Sequence, residues 1–197
     1  MSKIALQGDA SGTGTFTIAS PNSNTDRTLT LPDEAGTVLT SASDTGVQAT
    51  KSTPLFVTDI ATTNNYINHN TWTKLPFDNE LIDSDLWYDA LSNYRFTPQV
   101  AGYYLITVRV NFGDNSNSPT RTETAIYKNG SRYAKLSSIE ANVGNIVTYS
   151  GAMMVYFNGS TDYIELYAFA QTTNSGQARV RGNAEHSEFS GMLVRAD

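Results

Sequence analysis

Few side chains among these 197 residues have chemistry to offer. The two histidines, His69 and His186, lie far apart and beside Asn and Glu, and each reads as a loop residue rather than a general base. With no cysteine, thiol nucleophiles and thiolate zinc sites are excluded. The one acidic cluster is Asp78, Glu80, Asp83 and Asp85. Paired carboxylates serve glycoside hydrolysis, hold calcium through hard oxygen ligands, or simply satisfy backbone N–H groups in a turn. Asp83 and Asp85 are the weak calcium candidates; no other cofactor is expected. Gly8, Gly12 and Gly14 precede a strand pattern rather than a helix, so they make no phosphate loop. Trp72, Trp87 and Tyr88 either close one end of a core or stack on sugar rings.

Composition narrows the class further. The chain is 39% hydrophobic and 16% charged, with a net charge of −6 and scattered basic residues, so nucleic acid is not the expected partner. Arg179-Val180-Arg181 puts both arginines on one face of a strand, which reads as a solvated edge. No apolar run is long enough to span a bilayer, and the N-terminus lacks the pattern of a signal peptide. A protein made in a cytoplasm and carried on a virion fits these features. Without disulfides, oligomer burial is the expected source of stability.

The elements that must position these residues are strands. Residues 1–47 are rich in Gly, Ser and Thr, with short alternating bursts at 15–19, 29–31 and 38–39. They read either as a disordered leader or, favoured by the regular alternation, as a stalk that gains strand structure by wrapping around copies of itself. Residues 48–197 read as one β domain with strands at 54–60, 71–76, 94–97, 103–112, 122–128, 133–138, 147–157, 163–170 and 188–195. Several are apolar on both faces: Tyr104, Ile106, Val108 and Val110 oppose Tyr103 and Leu105, while Met154, Tyr156, Met192 and Val194 repeat the pattern downstream. Such strands need a cover on both sides, and a neighbouring subunit supplies the second. Tyr103, Leu105, Met154, Tyr156, Met192 and Val194 are therefore the expected subunit interface.

Two resemblances give this reading a family. Residues 27–39, a Thr/Leu strand, the turn Pro32-Asp33-Glu34-Ala35-Gly36 and then Thr37-Val38, resemble a segment of phage tail-fibre proteins. The spacing Phe77, Asp83, Tyr88, Phe96, Gly102, Tyr104 is similar to the signature of the complement-C1q-type domain, which belongs with the tumour-necrosis-factor jelly rolls. Here one residue more precedes the second Phe, and Ile106 and Val108 stand where the family has aromatics. The segments 158–166 and 189–194 look like its penultimate and closing strands. The resemblance implies an all-β, C1q/TNF-like jelly-roll sandwich of about ten antiparallel strands, trimeric, with a turn role for Asp83. Residues 48–197 would form the head and 1–47 a β-rich stalk docking on other virion proteins.

Together these features suggest a non-catalytic phage fibre protein whose trimeric head binds a host-surface glycan or protein. Three other readings stay open: a purely structural decoration or collar protein, a polysaccharide-degrading tail enzyme, and a bacterial C1q-like adhesin unrelated to phage. Counting turns locates the expected contact surface. Successive connections of an antiparallel sandwich alternate between its ends, which gathers 113–121, 140–145 and 171–187 opposite two Asn-Gly turns at 129–130 and 158–162. Asn115, Asn117, Asn142, Asn174, Gln177 and His186 are the candidate receptor contacts on that end.

Overall fold

The structure is a computed structural model that describes residues 11–12, 53–113, 117–140 and 146–197. The chain divides into two units, Met1–Thr45 and Gly46–Asp197, and the strands described below belong to the second. The stalk strands and the tail-fibre-like segment lie outside the described residues, as do Asn115 and Asn142.

Alternating apolar and polar positions put thirteen strands and no helix into the described residues. They are β1 (Leu55–Asp59), β2 (Asn64–Ile67), β3 (Thr73–Lys74), β4 (Asn79–Asp83), β5 (Tyr88–Asp89), β6 (Arg95–Phe96) and β7 (Ala101–Gly113). Next come β8 (Pro119–Lys128), β9 (Ser131–Glu140), β10 (Val147–Asn158), β11 (Ile164–Thr172), β12 (Ala178–Arg181) and β13 (Glu188–Ala196). One sheet runs β2-β12-β7-β13-β1-β4, with β10 on the other side of β7; the second runs β5-β6-β11-β8-β9, with β3 beside β11. All their strand pairs are antiparallel. The architecture is an all-β, two-sheet jelly-roll sandwich.

Between the sheets lies one aromatic-rich core. Phe56 stacks on Phe96 and Tyr88, with centroids 4.2 and 5.2 Å away, and meets Phe189 edge-on at 5.0 Å. Phe77, Tyr104 and Phe157 extend the cluster, each at most 1% exposed. These residues alternate with outward ones on β1, β7, β10 and β13, which is why strand pairing alone points them all inward. Their rings meet edge-to-face or offset, the arrangements that the ring quadrupole favours.

Several connections differ from the sequence reading. Of the two Asn-Gly turns, only Asn129-Gly130 joins a hairpin: both residues have positive φ, 53° and 76°, and β8 pairs directly with β9. The turn at 158–162 carries the same dipeptide, yet it passes from β10 in one sheet to β11 in the other. There the Asn158 carboxamide accepts the N–H groups of Ser160, Thr161 and Asp162, while Gly159 presses against Ala101 with φ 71°. The stretch 171–187, expected to be a loop, contains β12, whose Ala178 and Val180 are fully buried. β12 lies between β2 and β7, so Arg179 and Arg181 are not on a sheet edge. β2, β4 and β5 are also additional to the expected strands; their polar sequences extend only because a neighbouring strand supplies hydrogen bonds.

Candidate assembly and binding surfaces

The first surface arises from strand register. Met154 pairs with Leu105, Leu105 with Met192 and Met192 with Leu55, so four apolar side chains stand side by side on the outward face of the first sheet. Tyr103 and Tyr156, one step along, also pair and meet at 5.3 Å. Tyr103, Met154, Tyr156 and Met192 are exposed and Leu105 is half-buried. Val194 is exposed where the β13–β7 pairing shifts register between Leu193 and Arg195. Five of the six residues expected to form the interface thus gather on one face, with Val194 beside them at the register shift. A hollow of about 130 Å³ opens among Leu55, Val57, Leu105, Thr107, Ser190 and Met192. An outward row of Met, Leu and Tyr on a strand set whose inner face is already buried is a continuous apolar surface of the kind that marks a protein contact.

The second surface is one end of the sandwich. Thr173 N–H donates to Ser118 O at 3.1 Å and Asn117 Nδ2 donates to Gln177 O at 3.0 Å, joining the connection after β7 to the one after β11. Asn117, Asn174 and Gln177 are brought together here, with Asn174 and Gln177 exposed. Sequence reasoning missed their organiser, the segment before β3. His69 Nδ1 accepts the Thr172 N–H at 3.1 Å, and Asn68 and Asn70 accept hydrogen bonds from Gln177 and Gln171. His186 is elsewhere. β13 begins opposite Arg109, four residues down β7 from Gly113, and the turn carrying His186 is fixed at that lower level by the Ser187 hydroxyl on Arg181 O and Asn111 N. The C-terminus reaches the opposite end, where Asp197 N–H donates to Ala101 O. β1 lies antiparallel beside β13 and starts from that side.

Asp78, Asp83 and Asp85 of the acidic cluster have structural partners. Asp83 accepts the Tyr88 N–H at 2.9 Å and the Trp87 N–H at 3.3 Å, one on each carboxylate oxygen, and Asp85 accepts the Ser84 hydroxyl at 2.6 Å. Asp78 accepts the Ala61 N–H at 2.8 Å. Among the described residues no three His, Cys, Asp or Glu side chains converge on a point where a metal ion would sit. Tyr88 is a core residue whose hydroxyl donates to Phe77 O, whereas Trp72 lies on the outward face of the second sheet beside Phe169 and Tyr127.

Glu123, buried on β8, was not singled out from sequence. One of its oxygens accepts hydrogen bonds from Arg121 at 2.6 Å, Lys135 at 2.8 Å and Ser138 at 2.8 Å. Burial by itself raises its carboxyl, but the hydrogen bonds from Lys135, Ser138 and Arg121 together hold it below the usual value. A carboxyl depressed in the folded state stabilises above its unfolded value of about 4.3, and that contribution disappears as pH falls through the folded value. Thermal melts should therefore drop as pH falls below about 4.3, and Glu123→Gln should flatten the drop while lowering the melting temperature at neutral pH.

Compared with solved structures, the chain is similar to murine APRIL at pH 5.0, with a TM-score of 0.55 and 9% identity over 73% of this chain and all of that one. It is similar to the Eiger TNF of S. frugiperda, with a TM-score of 0.53 and 10% identity over 75% of this chain and 96% of that one. A second murine APRIL structure, at pH 8.0, gives 0.53 and 10%. No family model and no curated protein matches the chain. At such identity the likeness shows the fold: the described domain is a TNF/C1q-like jelly roll.

Proposed function

We propose that this chain is a non-catalytic phage virion fibre protein, with residues 1–47 docking on the particle and a trimeric jelly-roll head binding a receptor on the host surface. The observation that carries the reading is the division of labour on the head. A continuous apolar face suits self-association, while a polar end with Asn117, Asn174 and Gln177 lies opposite the C-terminus and the start of β1. Loops on a rigid sandwich, turned away from the attachment point, are suited to contact. The tail-fibre-like stretch 27–39 supports a phage origin, and Asp78, Asp83 and Glu123, engaged in turns or ion pairs, favour binding over hydrolysis.

Competition for adsorption tests this. Purified chain should block attachment of its particle to the host. Replacing exposed Thr173 and Asn174 by Glu leaves β12 and the core untouched and should weaken the block about tenfold or more. Equal blocking by wild type and variant would remove the receptor role from this end. No blocking by the wild type would remove it from the head.

A further inference from the structure

The outward face of the second sheet carries an aromatic track that neither the assembly face nor the loop end uses. Along β11 the alternate residues Tyr167 and Phe169 face outward, preceded by Tyr163; at about 3.3 Å per residue the three span about 20 Å. Tyr127 of β8 stacks on Tyr167 at 3.9 Å. Trp72 crosses the face, 5.4 Å from Phe169 and 6.2 Å from Tyr127. All five rings are half-buried, so each keeps some surface open to solvent.

Cations sit on this track in two kinds. Arg121 and Lys135 are neutralised by Glu123, and Lys74 by Glu165 at 3.0 Å. Arg95 and Arg132 differ. Their guanidinium groups lie over Tyr163 at 4.5 Å and over Trp72 at 5.5 Å, and among the described residues neither is in ion-pair range of a carboxylate. Two arginines held on ring faces with free hydrogen-bonding forks are out of character for a chain of net charge −6. Flat rings complement the apolar C–H faces of pyranose sugars, and an arginine fork complements a carboxylate bidentately. A phosphate polymer fits less well, since Glu123 and Glu165 stand in the middle of the track and only two cations are free to meet it.

We propose that this face binds an acidic polysaccharide, a uronic-acid chain laid along β11 with its carboxylates on Arg132 and Arg95 and its sugar rings against the aromatic surface that those guanidinium groups leave open. The site is independent of the loop end. Affinity electrophoresis of the full chain through gels containing polygalacturonate, methyl-esterified polygalacturonate or dextran tests it. Polygalacturonate should retard the wild type, the other two should not, and Arg132→Ala with Arg95→Ala should weaken retardation about tenfold or more. Both arginines touch solvent and, among the described residues, neither pairs with a carboxylate, so the double variant should stay folded and lose only the two guanidinium–ring contacts, and the Thr173/Asn174 variant should be retarded as wild type. No retardation by polygalacturonate, equal retardation of the double variant, or equal retardation by the esterified polymer would overturn the proposal. So would stronger binding to single-stranded oligo-dT, which would make the track a nucleic-acid surface.

Discussion

Replacing Leu105 with Asp is expected to abolish the assembled state and leave aggregate or unfolded chain. Leu105 is the centre of the row Met154–Leu105–Met192–Leu55, so a carboxylate there sits among apolar neighbours on three strands. Each of these half-exposed side chains contributes about 1 kcal/mol when a second copy covers what remains open, and an unpaired charge in a dry contact costs several kcal/mol more. Because the face is also the outer side of β7, whose inner side holds Tyr104 and Ile106, the loss of assembly exposes a large apolar patch on an otherwise intact sheet. Light scattering with circular dichroism checks this. A soluble L105D protein with the wild-type mass would show that the row is not an interface.

Phe56→Ala should have the largest effect on the fold itself. Phe56 is fully buried and contacts the rings of Tyr88, Phe96 and Phe189, linking β1 to β5, β6 and β13 across both sheets. Truncating it leaves a cavity that these rings cannot collapse into, at a cost of about 3–5 kcal/mol. Against a typical stability of about 5–15 kcal/mol that is a large share. Urea denaturation at fixed protein concentration should show the midpoint falling with little change in slope.

The long strands were legible because their chemistry is local. β7 and β10 alternate for ten residues or more, and Asn129-Gly130 carries the positive-φ preference of a tight hairpin turn. The row of outward Met and Leu was also legible, since period-two alternation assigns faces without knowledge of neighbours. What was hidden depends on distant partners. Asn64–Ile67 is polar and extends only because Ala178–Arg181 pairs with it, and neither strand announces the other. Asn158-Gly159 repeats the hairpin dipeptide, but local chemistry fixes a turn and says nothing of which sheet the next strand joins. His186 falls within the third polar connection in sequence, 171–187, yet its height is set by the register of β13 against Arg109. The cluster around Trp72 was missed for a similar reason: its members come from four separate strands and loops, and only the sandwich brings them onto one face.

Assembly through the outer face of the first sheet is the central claim, and the solution mass of the intact chain tests it most directly. Light scattering coupled to size exclusion should return three times the 21.5 kDa chain mass, unchanged on dilution into the nanomolar range. A folded species of 21.5 kDa would contradict the account.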